Sequence, residues 1–242
     1  MIEYRQVGVE VDGYDIDGNA MTTRILRDVD LSLPQRRIAV IGANGSGKST
    51  LLKLVNGLMK ATTGQVLVEG LDPAREGRAV RRRVGHVFTD PNAQLVMATP
   101  LEEIELSLRA SVRNRAERRT RALEVLASHD LGYVANRSVH ALSGGERQLV
   151  ALASVLAVEP SIIIADEPTT LLDLRNRIIL GRAFEALDQQ LVCSTHDLEL
   201  AARMDRALLV DGGRVVDDGE PSGVIARYRE QMAGCGSTRA GR

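Results

Sequence analysis

A glycine-rich segment at residues 42–49 constrains the fold of this chain more than any other feature. It follows an apolar run at residues 38–41 and precedes leucines at helical spacing, so the local order is strand, loop and helix. Its glycines, Lys48 and Ser49 match the Walker A pattern, in which backbone N–H groups at a helix start surround phosphate oxygens. Lys48 would reach the β- and γ-phosphates of a nucleotide, and the Ser49 hydroxyl would ligate Mg²⁺. The candidate nucleotide-binding residues of this segment are Gly42, Asn44, Gly45, Ser46, Gly47, Lys48, Ser49 and Thr50.

Strands and helices alternate along the rest of the sequence. Apolar runs like that at residues 38–41 recur at residues 162–165 and 191–194, as is typical of strands buried on both faces. Residues 93–158 have a helical pattern rich in Leu, Arg, Glu and Ala. This order predicts an α/β fold with a mainly parallel sheet and a helical subdomain at residues 93–158. The predicted division of the chain is one domain at residues 1–232 and a disordered tail at residues 233–242.

Turn signals appear near both ends of the chain. Asp12-Gly13 and residues 17–19 predict turns on either side of Tyr14. Residues 208–216 predict two strands that a tight turn joins.

Charge and aromatic content argue against several classes of function. The chain has 31 Lys and Arg against 32 Asp and Glu, its aromatic content is 2%, and it has no tryptophan. Since a stacking platform needs several exposed rings and a duplex-binding surface needs a basic excess, we expect no nucleic-acid partner. Basic residues cluster at residues 78–83 and 113–121, either as solvated faces or as surfaces near anionic headgroups or an acidic partner.

The sequence has no apolar run of the roughly 18 residues that a bilayer span needs. Its N-terminus lacks the charged-then-apolar pattern of a signal peptide. We therefore expect a cytoplasmic protein whose membrane role comes through a partner.

An acidic pair follows the apolar run at residues 162–165. Asp166 and Glu167 would stand at the C-terminal end of that strand, where ligands bind in α/β sheets. Asp166 would hold Mg²⁺ directly or through water, and Glu167 would polarise an attacking water as general base. Alone, the pattern also suits a helix N-cap. Together with residues 42–49 it predicts a site that hydrolyses a nucleotide.

The most diagnostic motif lies at residues 142–148. It reads Leu142, Ser143, Gly144, Gly145, Glu146, Arg147 and Gln148. Here the chain resembles the ABC ATPase family, whose signature is Leu-Ser-Gly-Gly followed by Gln or Glu, and the resemblance extends over about residues 3–225. It implies that Ser143, Gly144 and Gly145 contact the γ-phosphate held by a second subunit. An ordinary serine-capped helix is the alternative.

The resemblance also implies an architecture and an assembly. The fold would be a P-loop NTPase cassette, with a RecA-like core, an N-terminal antiparallel β subdomain and an α-helical subdomain. Its nucleotide would be ATP with Mg²⁺, shared by a head-to-tail pair of ATPases, either identical or different. His196 matches the family's switch histidine, which hydrogen-bonds the γ-phosphate, and residues 170–173 match the loop that crosses the dimer interface.

Two positions depart from the family pattern. Thr89 stands where the family has a glutamine; its hydroxyl would touch Mg²⁺-bound water from a shorter side chain, or Gln94 would substitute for it. The family's adenine-stacking aromatic aligns with Val11, and Tyr14 lies three residues on. Tyr14 would stack on adenine or be an exposed turn tyrosine.

Residues 88–95 and 99–103 resemble the energy-coupling-factor group of vitamin and metal importers. Thr89 and the runs at residues 76–83 and 166–176 resemble the ATPase of the biotin importer within that group. The resemblance implies a transmembrane T component, a substrate-binding S component and a peripheral position on the cytoplasmic face of the cell membrane. The alternatives are a soluble ABC ATPase without a transport role and a module that binds ATP without turnover, which Glu167 and His196 argue against.

Overall fold

The computed structural model describes residues 1–14 and 16–237. Its strands are β1 (Ile2–Tyr14), β2 (Ala20–Leu33), β3 (Arg37–Ile41), β4 (Thr63–Val68), β5 (Val84–Val87), β6 (Ile162–Asp166), β7 (Gln190–Ser194), β8 (Arg206–Asp211) and β9 (Arg214–Gly219). Its α-helices are α1 (Lys48–Val55), α2 (Gly77–Val80), α3 (Pro100–Leu108), α4 (Arg115–Ser128), α5 (Gly144–Leu156), α6 (Leu174–Glu185), α7 (Leu198–Ala201) and α8 (Pro221–Ser237). The chain divides into two compact units, one of residues 1–81 with the chain from Gln190 onward, the other of residues 82–189.

The first unit contains an antiparallel sheet in the order β2-β1-β4. In its central strand, Ile2 pairs with Leu33 of β2 and with Val68 of β4. The buried Tyr4 hydroxyl donates a 2.9 Å hydrogen bond to the carbonyl of Leu51 in α1. Burial raises the pKa of this phenol, so the hydroxyl remains a donor. The bond fixes the antiparallel sheet against the helix that follows the glycine-rich loop.

The second sheet of this unit surrounds β3. Strands β7 and β8 flank β3 in parallel, and β9 pairs antiparallel with β8. Residues 38–41 are fully buried, as their apolar run predicts. Val40 pairs with Ser194 on one side and with Leu208 on the other. The C-terminal ends of three parallel strands therefore meet at one edge, and the glycine-rich loop leaves β3 at that edge.

The second unit combines a parallel strand pair with helices. Val84 of β5 pairs with Ile162 of β6, and the register continues to Val87 and Ala165. Helices α3, α4 and α5 form an apolar core because each contributes side chains to one buried cluster. That cluster includes Leu101, Ile104, Leu108, Ala122, Leu126, Val150 and Ala153. None of the helices within residues 1–14 and 16–237 combines the length and apolar character that a membrane crossing requires.

The α/β prediction with a mainly parallel sheet and an antiparallel N-terminal sheet is confirmed. The hairpin of β8 and β9 is also as predicted. The turn predicted at Asp12-Gly13 is wrong, because both residues remain in β1 and pair with Thr22 and Met21 of β2. Tyr14 is therefore the last residue of the strand, and the connection lies beyond it.

The domain bounds stay predictions. Helices α3 to α5 lie inside the segment 93–158 that the sequence marks as helical. Helix α8 extends to Ser237, and the end of the predicted tail at residues 238–242 lies outside the described residues.

Candidate functional site

The glycine-rich loop has a backbone that side chains would obstruct. Gly42 has a φ of 142°, and a Cβ there would lie 2.1 Å from the carbonyl oxygen of Val210 in β8. Gly47 has a φ of 112°, and a Cβ there would lie 3.0 Å from the carbonyl oxygen of Ile25. Gly45 has a φ of 76° and faces open space. At Gly42 and Gly47 the backbone lies so close to neighbouring backbone atoms that a side chain would clash. Gly45 has room for a side chain, but its positive φ is a turn conformation that glycine adopts most readily.

Two polar side chains of the loop are buried. Lys48 is 5% exposed, and its Nζ donates to the carbonyl oxygens of Gly42 at 2.9 Å and Ala43 at 3.1 Å. Ser46 Oγ is buried and has no hydrogen-bond partner within the described part of the chain. A buried hydroxyl without a partner is costly unless a ligand supplies one.

The other residues of the loop differ in burial from Lys48 and Ser46. Asn44 and Gly45 are exposed, and Ser49 and Thr50 are partly buried in the first turn of α1. Gly47 is the N-cap of α1, and among the described residues no side chain caps that helix start. The dipole of the helix favours an anion at such a start.

The turn between β8 and β9 forms a hydrogen bond with the glycine-rich loop. The amide of Gly213 donates to the carbonyl of Ser46 at 3.0 Å, and the carbonyl of Gly213 accepts from the amide of Arg27 in β2 at 2.8 Å. A Cβ at Gly213, whose φ is 79°, would lie 2.5 Å from the carbonyl oxygen of Ile25. Gly213 is thus part of the support of the loop, and the sequence marks it only as a turn residue.

His196 belongs to the same unit and follows β7. Because Ser194 pairs with Val40, the chain after β7 emerges at the sheet edge from which the glycine-rich loop emerges. The buried Thr195 donates its amide to the carbonyl of Val40 at 3.1 Å, while His196 itself is exposed. The structure therefore brings His196 and the glycine-rich loop to one edge of one sheet.

The acidic pair of the second unit lies at the end of β6. Asp166 and Glu167 are 7% and 9% exposed, so both carboxylates are largely shielded from water. Glu167 has a φ of 50°, the left-handed region, which is uncommon for a residue with a Cβ. Such a backbone persists where its surroundings hold it, and functional sites are common places for it.

Thr89 contacts the backbone of this acidic pair. Its Oγ1 donates a 2.6 Å hydrogen bond to the carbonyl of Asp166. The hydroxyl has a single hydrogen, so what remains for a bound water is acceptor capacity. The role predicted for Thr89 at a metal-bound water stays a prediction.

The residue before Thr89 is bound by two glutamine side chains. Gln94 accepts from the amide of Phe88 at 3.1 Å and donates to the carbonyl of Ala151 in α5 at 2.9 Å. Gln148, which is 1% exposed, donates to the carbonyl of Phe88 at 3.3 Å. Both ends of the Gln94 amide are thus engaged with backbone. No local sequence pattern pairs Gln148 with Phe88, since they are 60 positions apart in the chain.

Helix α5 begins with a capping box. Ser143 Oγ accepts from the amide of Glu146 at 3.2 Å, and the Glu146 carboxylate accepts from the amide of Ser143 at 2.7 Å. A Cβ at Gly145 would lie 2.1 Å from Oδ1 of Asn176 in α6, so close packing requires glycine there. Ser143 is exposed and Gly144 is partly exposed. Ser143 therefore caps helix α5, and Ser143 and Gly144 also remain accessible to solvent at the start of that helix.

Two further side chains contact the carboxylate of Glu146. Tyr133 donates its hydroxyl to Oε1 at 2.9 Å, and Arg137 lies 3.6 Å from the same oxygen. The hydrogen bonds from the backbone and hydroxyl of Ser143 hold the pKa of Glu146 below its ordinary value, and the bond to Glu146 raises the pKa of Tyr133. This cluster was not predicted from the sequence. The Ser-x-x-Glu spacing of a capping box signals its central pair.

Two remaining candidates lie on the surface. Tyr14 is 79% exposed at the end of β1, opposite Ala20 of β2. In the loop before α6, Leu171 is exposed and Asp173 caps the helix by accepting from the amide of Asn176 at 2.8 Å. The side chains of Tyr14 and Leu171 are therefore both accessible to a ligand or a second chain.

The glycine-rich loop by itself fits the polyphosphate of a nucleotide. Within the described residues it offers a buried ammonium, a hydroxyl without a partner and a helix start that no side chain caps, which are groups that bind phosphate oxygens. Ser49 in the first unit and Asp166 in the second each carry an oxygen of the type that Mg²⁺ prefers as a ligand.

Comparison with known proteins gives the same assignment. Residues 26–170 match the family model of the ABC transporter. The chain is 43% identical over 208 residues to a biotin transport ATP-binding protein of Rhizobium etli, covering 86% of this chain and 92% of the relative. It is 35% identical over 237 residues to an energy-coupling factor transporter ATP-binding protein of Halalkalibacterium halodurans, covering 96% and 84%.

A solved ATP-binding cassette, a dimer in a post-hydrolysis state with ADP and phosphate bound, superposes with a TM-score of 0.78 at 31% identity, covering 91% of this chain and 99% of that one. The glycine-rich loop, the acidic strand end and the signature helix start thus occur in a chain that belongs to the ABC transporter family, as an ATP-binding cassette that hydrolyses ATP.

Proposed function

We propose that this chain is the ATPase subunit of an energy-coupling-factor importer, with biotin as the first candidate substrate and another vitamin or a metal ion as the next. The observation that carries the proposal is the identity of 43%, over nearly the whole length of both chains, to a biotin transport ATP-binding protein. The 35% identity to an energy-coupling factor ATP-binding protein supports the wider class.

The partners follow from that class. The chain would bind a transmembrane T component and act with a substrate-binding S component, at the cytoplasmic face of the membrane as a peripheral subunit. The segment from Gln94 to Glu105 is the candidate docking surface, since exposed Val96 and Met97 lie in it. Their amides donate to the buried carboxylate of Glu103 at 2.9 and 2.8 Å, which would keep the surface rigid.

The chemical roles follow the motifs. Lys48 would bind the β- and γ-phosphates, Glu167 would act as general base, and His196 would hydrogen-bond the γ-phosphate. Mg²⁺, held by Ser49 and Asp166, would neutralise charge that develops on the phosphates during transfer. Binding and positioning by the loop would supply the remainder of the catalysis.

A second chain would complete each site. Ser143, Gly144 and Gly145 of one chain would contact the γ-phosphate bound to the other, so two nucleotides would lie between two chains. The dimeric state of the solved neighbour supports this arrangement. ATP would draw the chains together, and loss of the γ-phosphate would remove the charge that bridges them.

Two side chains have less defined roles. Tyr14 would stack on the adenine ring, for which its exposure leaves it available. Thr89 would accept a hydrogen bond from a water on Mg²⁺, since its hydroxyl hydrogen is engaged by Asp166. The alternative of a soluble ABC ATPase without a transport role is less well supported, because both relatives named above are transporter subunits.

The proposal can be tested in the native organism. We expect affinity purification of the tagged chain from membranes to recover two multi-span membrane proteins, and deletion of its gene to abolish uptake of labelled biotin. Recovery of soluble proteins alone would refute the transporter assignment. Recovery of membrane partners with unchanged biotin uptake would keep the importer class and exclude biotin, after which uptake of other vitamins and metal ions separates the remaining substrates.

A further inference from the structure

The connection from α3 to α4, together with the first half of α4, is strongly basic. Residues 109–121 contain six arginines and a single acidic residue, so their net charge is +5. The whole chain has 31 basic and 32 acidic residues, so the other residues together carry a net charge of −6. Five of the six arginines are exposed, namely Arg109, Arg113, Arg115, Arg119 and Arg121. The positive charge is therefore a local feature of the second unit and not a property of the chain as a whole.

Most of this charge is not neutralised within the chain. Arg119 has one acidic neighbour, Glu105, with 3.9 Å between Nη1 and Oε1. The side chain of Arg119 is 54% exposed and that of Glu105 is 18% exposed, so solvent reaches the guanidinium more readily than the carboxylate. Among the described residues, Arg109, Arg113 and Arg115 have no acidic partner. Several guanidinium groups thus remain for an anionic partner outside the chain.

The arginines of the two helices lie on one side of the helix pair. On α4, Arg115, Arg119 and Leu123 follow one another at intervals of four residues, so they share a face of that helix. Glu105 of α3 and Arg109, which ends that helix, have the same spacing. The contact between Glu105 and Arg119 joins the two faces. We define the arginine surface as Arg109, Arg113, Arg115 and Arg119.

The chemistry of the arginine surface fits the headgroup region of an anionic membrane. A guanidinium donates paired hydrogen bonds to the oxygen atoms of a phosphate group. Four basic residues are also within the range of about four to eight that attaches proteins to anionic lipid. Leu106 and Leu123, which are 39% and 41% exposed, supply apolar side chains next to the arginines. Such side chains enter the boundary between headgroups and acyl chains.

Helix α3 connects the arginine surface to the candidate docking surface for the T component. The helix begins at Pro100, inside the segment from Gln94 to Glu105, and ends at Leu108, next to Arg109. Its nine residues span roughly 13 Å. A transmembrane protein that binds the segment from Gln94 to Glu105 would therefore bring lipid headgroups close to the arginine surface. This continuity favours lipid over an acidic soluble protein.

We propose that the arginine surface binds the phosphate groups of anionic phospholipids, so that the chain contacts the membrane directly as well as through its protein partners. Leu106 and Leu123 lie against the same lipids. Arg115 is in the first turn of α4, where the helix dipole disfavours a positive charge, and a bound phosphate offsets that repulsion. This inference rests on the membrane position in the proposed function.

Binding to vesicles that contain no protein tests the inference. The purified full chain is sedimented with vesicles made of equal parts phosphatidylcholine and phosphatidylglycerol, and with vesicles of phosphatidylcholine alone. We expect the chain to bind the anionic vesicles and to remain in solution with the neutral ones. Raising the salt concentration to about 0.5 M should release the chain, because salt screens exposed charges.

Charge-neutralised variants test whether the arginine surface is the contact. We expect Arg113→Gln combined with Arg115→Gln to weaken binding to anionic vesicles by about 10- to 30-fold. Arg109→Gln combined with Arg119→Gln should weaken it to a similar extent. The matched control is Arg82→Gln combined with Arg182→Gln, which removes the same charge from two exposed arginines elsewhere in the second unit and should leave binding native. Thermal melting shows which variants are folded, and the second pair keeps the test valid if the first is not.

Three results would overturn the inference. They are the absence of binding to either kind of vesicle, equal binding to both kinds, and a loss in the control pair as large as that in the arginine-surface pairs, since the last would mean that vesicles respond only to net charge. The vesicles contain no T or S component, so failure here leaves the importer assignment intact. Failure to purify membrane partners, in turn, leaves the vesicle result unchanged, so the two failures are distinguishable.

Discussion

Ser143 and Glu146 cap helix α5 reciprocally: the hydroxyl of one accepts from the amide of the other at 3.2 Å, and the carboxylate accepts in return at 2.7 Å. Both bonds are made within the signature motif itself. The start of helix α5 is therefore held in its turn by the motif's own side chains.

Removal of the Glu146 carboxylate should destabilise the second unit. We expect Glu146→Ala to lower the free energy of unfolding by about 1 kcal/mol, the usual value of a capping interaction, and Glu146→Gln to cost less because its amide oxygen still accepts. Urea denaturation measures both. Glu124→Ala, at an exposed position of α4, is the control. Equal stability of Glu146→Ala and the native chain would show that the cap contributes nothing.

The same carboxylate should make stability depend on pH. The hydrogen bonds from the Ser143 backbone and hydroxyl hold the pKa of Glu146 below the ordinary value of 4.5. A pKa that is lower in the folded chain gives a contribution that is present above about pH 4.5 and is lost as the pH falls through the folded-state pKa. We expect the stability difference between the native chain and Glu146→Gln to be largest near neutral pH and to shrink below pH 4.5. A difference that grows on acidification would contradict this assignment.

The loop glycines should differ in their tolerance of a side chain. Gly42→Ala places a Cβ against the carbonyl of Val210, so the backbone must shift, and we expect loss of ATP binding with a cost of about 2–4 kcal/mol in stability. Gly45→Ala meets open space and should cost about 1 kcal/mol, from its positive φ alone. Equilibrium unfolding and binding of a fluorescent ATP analogue measure the two effects. Equal losses of stability for Gly42→Ala and Gly45→Ala would mean that the clash of a Gly42 side chain with Val210 of β8 does not account for the loss.

Lys48 should contribute to ATP binding more than to folding. Lys48→Met keeps the apolar stem and removes the buried ammonium, so we expect ATP binding to weaken by about 10- to 100-fold while the unfolding temperature without ATP changes little. The shift in unfolding temperature on adding ATP should fall accordingly. Lys53→Met, on the same helix α1, is the matched control and should retain that shift. A native ATP-induced shift in Lys48→Met would remove Lys48 from the site.

Glu167 should separate ATP binding from turnover. We expect Glu167→Gln to slow hydrolysis by about 100- to 10,000-fold, as for the loss of a general base, and to retain ATP binding. The ATP-loaded variant should accumulate as a dimer in sedimentation. Glu124→Gln makes the same chemical change in the same unit and should leave hydrolysis native. A variant that hydrolyses ATP at the native rate would exclude Glu167 as the base, and one that stays monomeric with ATP would argue against the shared sites.

Local patterns were enough to predict the strand–loop–helix order around residues 42–49, because the loop's chemistry lies within one short segment. The end of β1 was less predictable. Asp12-Gly13 is a common turn pair, yet pairing with β2 keeps it extended, so a tertiary contact overrode a local preference. The hairpin at β8 and β9 had no such competition and follows its turn signal.

Most of the hydrogen bonds that hold the site residues in place could not be predicted from the sequence. Gln148 reaches Phe88 across 60 positions, and Thr89 reaches Asp166 across 77, distances at which no local pattern applies. The sequence indicated Thr89 through its departure from the family glutamine, but the partner of its hydroxyl required the fold. Glu146 is the opposite case, since the Ser-x-x-Glu spacing signals its bond to Ser143 locally, although the bond was not predicted.

The attachment of Gly213 to Ser46 has a consequence for synthesis on the ribosome. Strand β3 and its loop come early in the chain, but β7 and β8, which flank β3, and the turn that bonds Ser46 are translated well over a hundred residues later. A nascent chain that ends before β8 lacks both the strand beside Gly42 and the amide that holds Ser46. The capacity to bind ATP therefore arises only after β8 and the turn that follows it are translated, so products truncated before β8 should not compete for the nucleotide.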